Sequence, residues 1–97
     1  MLERDYQPKL IEKLEAMFPG CLILKNDTSY LQGIPDLSIF YGKHWAMLEV
    51  KAGAKSRVQV NQPYYVELTN SMSFAAFIYP ENEEEVLDAL REAFQGV

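Results

Sequence analysis

The chain has little of what builds disulfide scaffolds or membrane spans. Cys21 is the one cysteine among 97 residues, so no intrachain disulfide can form. Inside the apolar run CLILK it reads as a small core residue, which suits a reducing compartment such as the cytoplasm of a bacterial or phage-infected cell. No apolar run approaches the roughly 18 residues of a membrane helix, and the opening MLERDYQPKL carries charges where a signal peptide would carry its apolar segment. No membrane partner is expected. The chain also lacks internal repeats, low-complexity tracts and linkers. Its single histidine, His44, sits at a hairpin connection with no partner nearby in sequence; it is expected to be exposed and receives no role.

Basic residues are scarce as well, nine Lys and Arg against fourteen Asp and Glu for a net charge of −5. That balance argues at first against a phosphate-bearing partner, because phosphates are contacted chiefly by Lys and Arg. The distribution reverses the argument. Glu81, Glu83, Glu84, Glu85, Asp88 and Glu92 stand against Arg91 alone, a segment that carries the whole net charge of −5. In contrast, KAGAKSR holds Lys51, Lys55 and Arg57 with no acid. The acidity belongs to one helix, and Lys55 and Arg57 stand where they could touch phosphate beside Lys51.

A hydrophobic content of 48% with 12% aromatics supplies one core, so residues 1–97 read as a single domain. The first helix ends near Phe18: Leu10, Leu14 and Met17 form one stripe on a helical wheel, with Asp5 as a candidate cap and Pro8 in the first turn. CLILKN then reads as a short buried strand, and DTSYLQGIP as a turn-rich loop in which Asn26, Ser29 and Gln32 are turn formers. Asp36 to Tyr41 reads as a second strand. YGKH is a tight connection into a third, Trp45 to Lys51, which predicts an antiparallel hairpin. Asn61 can cap a second helix that has Pro63 in its first turn and reaches about Met72. SFAAFIY is a fourth strand, and Asn82 with Glu85 resembles a capping pair for a last helix with Val86, Leu87, Leu90 and Phe94 on its apolar face. The expected order is α-β-β-β-α-β-α, an α/β sheet with helices on its faces.

Within that order, side chains two apart on a strand share a face, so Glu49 and Lys51 point the same way, and Val50, Leu48 and Ala46 point the other. A hairpin brings Asp36, at the start of one strand, near Glu49 and Lys51, at the end of the next. Two carboxylates that close push each other towards protonation unless a cation holds them. A hard divalent ion, Mg²⁺ or Mn²⁺, accepts one or two carboxylates and fills its shell with water and phosphate oxygens. Such a site suits phosphodiester hydrolysis, with the lysine orienting water or offsetting charge on the phosphate. The bland reading of the same residues is a structural ion pair with one solvated carboxylate.

Pro35-Asp36, twelve intervening residues and then Glu49-Val50-Lys51 resemble the signature of the PD-(D/E)XK nuclease superfamily. GIPDL, LEVKAG and NQPYY look most like its minimal VRR-Nuc and archaeal-type Holliday-junction resolvase branches. The resemblance covers nearly the whole chain, and it implies a restriction-endonuclease-like three-layer core around a mixed central sheet. It also implies that Asp36 and Glu49 ligate the metal, that the Val50 carbonyl adds a ligand, that Lys51 is catalytic and that Gln62 helps to position water or phosphate. These nucleases often add an acid from the first helix. The wheel puts Glu3 and Gln7 on the inner stripe, with Glu12 and Glu15 well off it; a helix starting only at Tyr6 would leave Glu3 on the lead-in and Gln7 in its place. The implied activity is cleavage of branched DNA, with flaps, nicks, single strands or RNA as alternative substrates and a catalytically silent binding module as the rival class. Cutting both strands of a junction needs two sites, which a C₂ homodimer supplies; the aromatics of the second helix and fourth strand are candidate interface material.

Overall fold

Helix α1 (Glu3–Met17) begins three residues earlier than a cap at Asp5 would place it. The Leu2 carbonyl accepts from the N–H groups of Asp5 and Tyr6, both at 3.0 Å, and no side chain caps the start. Asp5 therefore lies inside the first turn, where its charge favours the helix dipole, and Pro8 lies past that turn. In this computed structural model, which describes residues 1–95, Glu3 thus belongs to the helix proper.

The strands β1 (Leu22–Lys25), β2 (Leu37–Tyr41), β3 (His44–Val50) and β4 (Phe74–Ile78) and the helices α2 (Gln62–Met72) and α3 (Glu83–Gln95) follow in the expected order. The sheet runs β1-β2-β3-β4. The first two pairings are antiparallel and β3–β4 is parallel, so the sheet is mixed. Gly42 and Lys43 join β2 to β3, with Tyr41 opposite His44. Gly42 has φ +61° while Lys43 does not turn positive, the pattern of a II′ turn, whose twist suits a two-residue hairpin. The parallel pairing of β3 with β4 requires a crossover, supplied by the loop after Lys51 and by α2.

Strand alternation sorts the two faces. Leu37, Ile39, Ala46, Leu48, Val50 and Ile78 are fully buried against Leu10 and Leu14 of α1 and Leu90 of α3, in one continuous core. The opposite face, bearing Met47, Glu49 and Ala75, lies under α2, which packs on β3 and β4. Tyr6 joins α1 to α3: it is buried, and its hydroxyl donates to Glu83 Oε1 at 2.7 Å, while Lys13 pairs with Glu83 Oε2. Burial alone would raise the Glu83 pKa, but the hydrogen bonds from Lys13 and Tyr6 outweigh it and hold the carboxyl below its ordinary value.

Three local expectations are corrected. CLILKN is not a buried strand: β1 lies at the sheet edge with Leu22 and Leu24 exposed, because α2 packs on β3 and β4 and, among the described residues, leaves that side of β1 uncovered. Cys21 beside it is half-buried against the core, and burial followed by the charge of Glu15 raises its thiol pKa. His44 is half-buried and stacks on Phe94 at 5.8 Å between ring centroids, because the end of α3 reaches the hairpin and closes a cluster with Phe18 and Tyr41. Asn82 forms no capping pair with Glu85. Its side chain turns back, accepting from Tyr79 N–H at 2.8 Å and donating to the Phe77 carbonyl at 3.0 Å, and so fixes the turn between β4 and α3. Among the described residues no helix is long and apolar enough to cross a membrane.

Candidate active site

Asp36 precedes β2, and Asn26 holds it there. The Asn26 backbone N–H donates to the Asp36 carbonyl at 2.7 Å, its side-chain amide donates to the Pro35 carbonyl at 2.8 Å, and its Oδ1 accepts from the Ser38 hydroxyl at 3.0 Å. The Asp36 carboxylate then reaches across the hairpin, and Oδ2 accepts from Val50 N–H at 2.9 Å. A side chain here takes a donor from the end of β3, locking Asp36 against Glu49-Val50-Lys51. Asn26 was expected only as a turn former; its role as a clamp depends on partners nine and twelve residues away.

Glu49 is 1% exposed. Its Oε2 accepts from Gln62 Nε2 at 3.0 Å, with the Lys51 ammonium 3.8 Å away, while its Oε1 is buried without a partner among the described residues. Gln62, the first residue of α2, is the hub. Its Oε1 accepts from Lys51 Nζ and from Gln59 N–H, each at 2.8 Å, so the amide can face only one way, nitrogen towards Glu49. Lys51 Nζ also donates to the Arg57 carbonyl at 2.9 Å. Burial first, then the charge of Asp36 beside it, drive the Glu49 pKa up to about 8 against the opposing pull of Lys51.

These groups line an open cavity of about 640 Å³. One wall is the loop carrying Thr28, Gln32, Gly33 and Ile34; the other is Gln59 to Gln62, and Glu3 closes the rim. Glu3 is exposed, yet burial and the nearby Asp36 raise its pKa. Asp36, Glu49, Lys51 and Gln62 therefore meet in one place, with Glu3 at its edge. Gln7 is half-buried and is not among the lining residues. Arg57 contributes its carbonyl to Lys51. Lys55 is exposed and borders a separate groove with Glu81. Thr28, Gln59 and Val60 line the cavity without any expectation from the sequence; Gln32 and Asn61, expected as a turn former and a helix cap, line it too, and the Asn61 side chain makes no capping bond to α2.

Gly33 explains how the two walls meet. It has φ +93°, and a Cβ there would lie 2.5 Å from Asn61 Cβ and 2.8 Å from the Asn61 carbonyl carbon. Both the backbone conformation and the close approach exclude a side chain. Gly33→Ala is expected to lower the melting temperature by about 10 °C, the equivalent of roughly 2 kcal/mol in a domain of this size. It should also push the start of α2, and Gln62 with it, away from Glu49. Thermal denaturation of Gly33→Ala beside Gly20→Ala, a positive-φ position with open space around it, checks the contribution of contact as distinct from φ strain.

The donor set suits a hard cation. Asp36 and Glu49 are adjacent carboxylates, and Glu49 Oε1 is a buried acceptor with nothing to accept from. Among the described residues no three His, Cys, Asp or Glu side chains are gathered closely enough to enclose an ion by themselves. An ion here would take the two carboxylates and complete its shell from backbone, water and ligand, a habit of Mg²⁺. Searches of protein-family models, curated proteins and solved structures find no match to this chain.

Proposed function

We propose that this chain is a Mg²⁺- or Mn²⁺-dependent endonuclease of restriction-endonuclease-like fold that hydrolyses DNA phosphodiesters at branched structures, as its resemblance to the PD-(D/E)XK superfamily implies. The observation that carries the reading is Glu49: a carboxylate sealed from water, beside a second carboxylate, with one oxygen unpartnered and a tethered ammonium 3.8 Å from the other. A structural ion pair would leave no acceptor orphaned, since an unmet buried polar group costs about 1–3 kcal/mol.

In this reading Asp36 and Glu49 would hold the ion, with the Val50 carbonyl and Glu3 at the rim as the further groups that would serve it. The ion, when bound, would polarise the phosphodiester and make a water more acidic. The remaining work belongs to the chain. Lys51, held by Gln62 and the Arg57 carbonyl, carries a fixed positive charge at the cavity wall, where it orients the attacking water or offsets charge gathering on the phosphate. Gln62 keeps Lys51 and Glu49 in register. Lys55 and Arg57, exposed on the loop after Lys51, meet backbone phosphates on either side of the scissile one. Gln7, on the same helix as Glu3, is a further DNA contact. Nothing among these groups reads base edges, so selectivity comes from the shape of the nucleic acid.

Cleavage of end-labelled four-way junction, flap, nicked duplex, linear duplex, single-stranded DNA and RNA with Mg²⁺ or Mn²⁺ tests the proposal. Preferred cutting of the junction is expected. Equal cutting of junction and linear duplex removes the branched-DNA reading and leaves a general nuclease. If every substrate stays intact and Glu49→Ala binds the metal as wild type does, the fold serves as a silent binding module.

A further inference from the structure

The two edges of the sheet are not alike. No residue of β4 is exposed, because α2 and α3 pack on it, whereas β1 is exposed at every position but Ile23. Leu22 is 57% exposed, Leu24 44%, and Phe40, which pairs with Leu22 across the sheet, 42%. Edge strands are ordinarily guarded by charge, proline or a bulge; β1 has only Lys25, at its end. The polarity of its backbone is fixed by the bond from Asn26 N–H to the Asp36 carbonyl. In an antiparallel ladder alternate residues bond to the same neighbour, so Leu22 and Leu24 turn their backbone groups to β2, and Ile23 and Lys25 turn theirs outward. Carried one residue back from β1, the same alternation turns the Cys21 carbonyl to the outer edge, and the Cys21 N–H donates to the Phe18 carbonyl at 3.0 Å.

We propose that β1 is an interface that pairs antiparallel with β1 of a second copy of this chain, about a two-fold axis through Ile23, to make one continuous sheet. The register follows from three matches. Ile23 opposes itself and exchanges both backbone bonds, and Lys25 N–H meets the carbonyl that Cys21 leaves outward. On the uncovered face Leu22 sits against Leu24 of the second copy, with each Phe40 beside the pair. On the other face Lys25 emerges across from Cys21, where Glu15 is near enough for its charge to be felt by the thiol. Moving the axis to Leu24 sets Lys25 against Ile23 and Leu22 against Asn26; moving it to Leu22 leaves Leu24 opposite Gly20. A second copy supplies all three matches from the same strand, which selects it over a foreign segment.

Opposed residues of paired strands point to the same side of a sheet. Both cavities therefore open on one side of the joined sheet, as two cuts in one branched substrate would require. The interface stands or falls without that use, because its readout is association and not cleavage.

Sedimentation velocity across a dilution series, with circular dichroism as the fold control, tests it. The wild type is expected to dimerise, and Leu22→Lys with Leu24→Lys to raise the dissociation constant about a hundredfold or more through lost apolar burial and like charge. Lys25→Glu is expected to weaken the dimer and Glu15→Lys, added to it, to restore it, a rescue that loss of folding would not give. A wild type that stays monomeric, or a dimer indifferent to both the leucine and the charge-swap variants, overturns the proposal.

Discussion

Lys51→Met is expected to reduce cleavage about a thousandfold while leaving metal binding in place, a loss of roughly 4 kcal/mol of transition-state stabilisation. The Lys51 side chain is buried, and its ammonium has two tethers, the Gln62 amide and the Arg57 carbonyl. A charge held so firmly needs no reorganisation when negative charge gathers on a phosphate, and the low local polarity strengthens its effect. Methionine keeps most of the apolar stem and removes only the charge. Asp36→Asn and Glu49→Gln should lose cleavage to a similar extent, but together with metal affinity. Gln62→Ala should cost about ten- to a hundredfold, the range for groups that orient a ligand from behind. Rates on a junction substrate paired with titration calorimetry for Mg²⁺ or Mn²⁺ separate the three patterns. Wild-type rates in Lys51→Met would reduce that residue to a structural cation.

A gain in stability is expected when Glu49 is made neutral. Burial and Asp36 lift its pKa from 4.5 to about 8. A carboxyl whose folded pKa is raised binds its proton more tightly folded than unfolded, so its contribution is fully present below pH 4.5 and is lost as pH rises towards about 8. Without divalent metal the wild type should lose a few kcal/mol across that window, in addition to any other titration. Glu49→Gln should lack this component and melt about 10 °C higher at alkaline pH. The glutamine can still accept from Gln62 through its oxygen and can donate to Asp36 through its nitrogen. Mg²⁺ should narrow the gap by stabilising the wild type more than the variant, because the ion offsets the repulsion between ionised Glu49 and Asp36 and binds only the folded protein. Calorimetric melts from pH 4 to 9, with and without Mg²⁺, check both halves. A Glu49→Gln protein that is less stable than wild type throughout would mean that the ionised carboxylate is satisfied within the fold.

Much of the site is legible in the chain alone. Asp36, Glu49 and Lys51 come together because strand alternation and a two-residue hairpin are local properties, and counting residues is enough to apply them. Glu3 on the inner stripe of α1 also followed from periodicity, although its place in the helix depended on where α1 begins, and backbone bonds to Leu2 decided that without any capping side chain. The clamp made by Asn26 is not legible locally, because an asparagine in a turn-rich loop looks the same whether it bonds to its neighbours or, as here, to Pro35 and Ser38. The buried reading of β1 failed for a related reason: an apolar run does not reveal whether a helix will cover it.

The order of elements, the pairing of β2 with β3 and the face on which Glu49 and Lys51 stand are written into the chain. Each of these follows from the period of a strand, the period of a helix or the chemistry of a turn. How deeply Glu49 is buried, that Gln62 joins it to Lys51, that Gly33 must lie bare against Asn61 and that the β1 edge is left open are set by long-range packing. Those features depend on where α2 settles on the sheet. Its placement is a balance of packing among residues far apart in the chain, which no local period records.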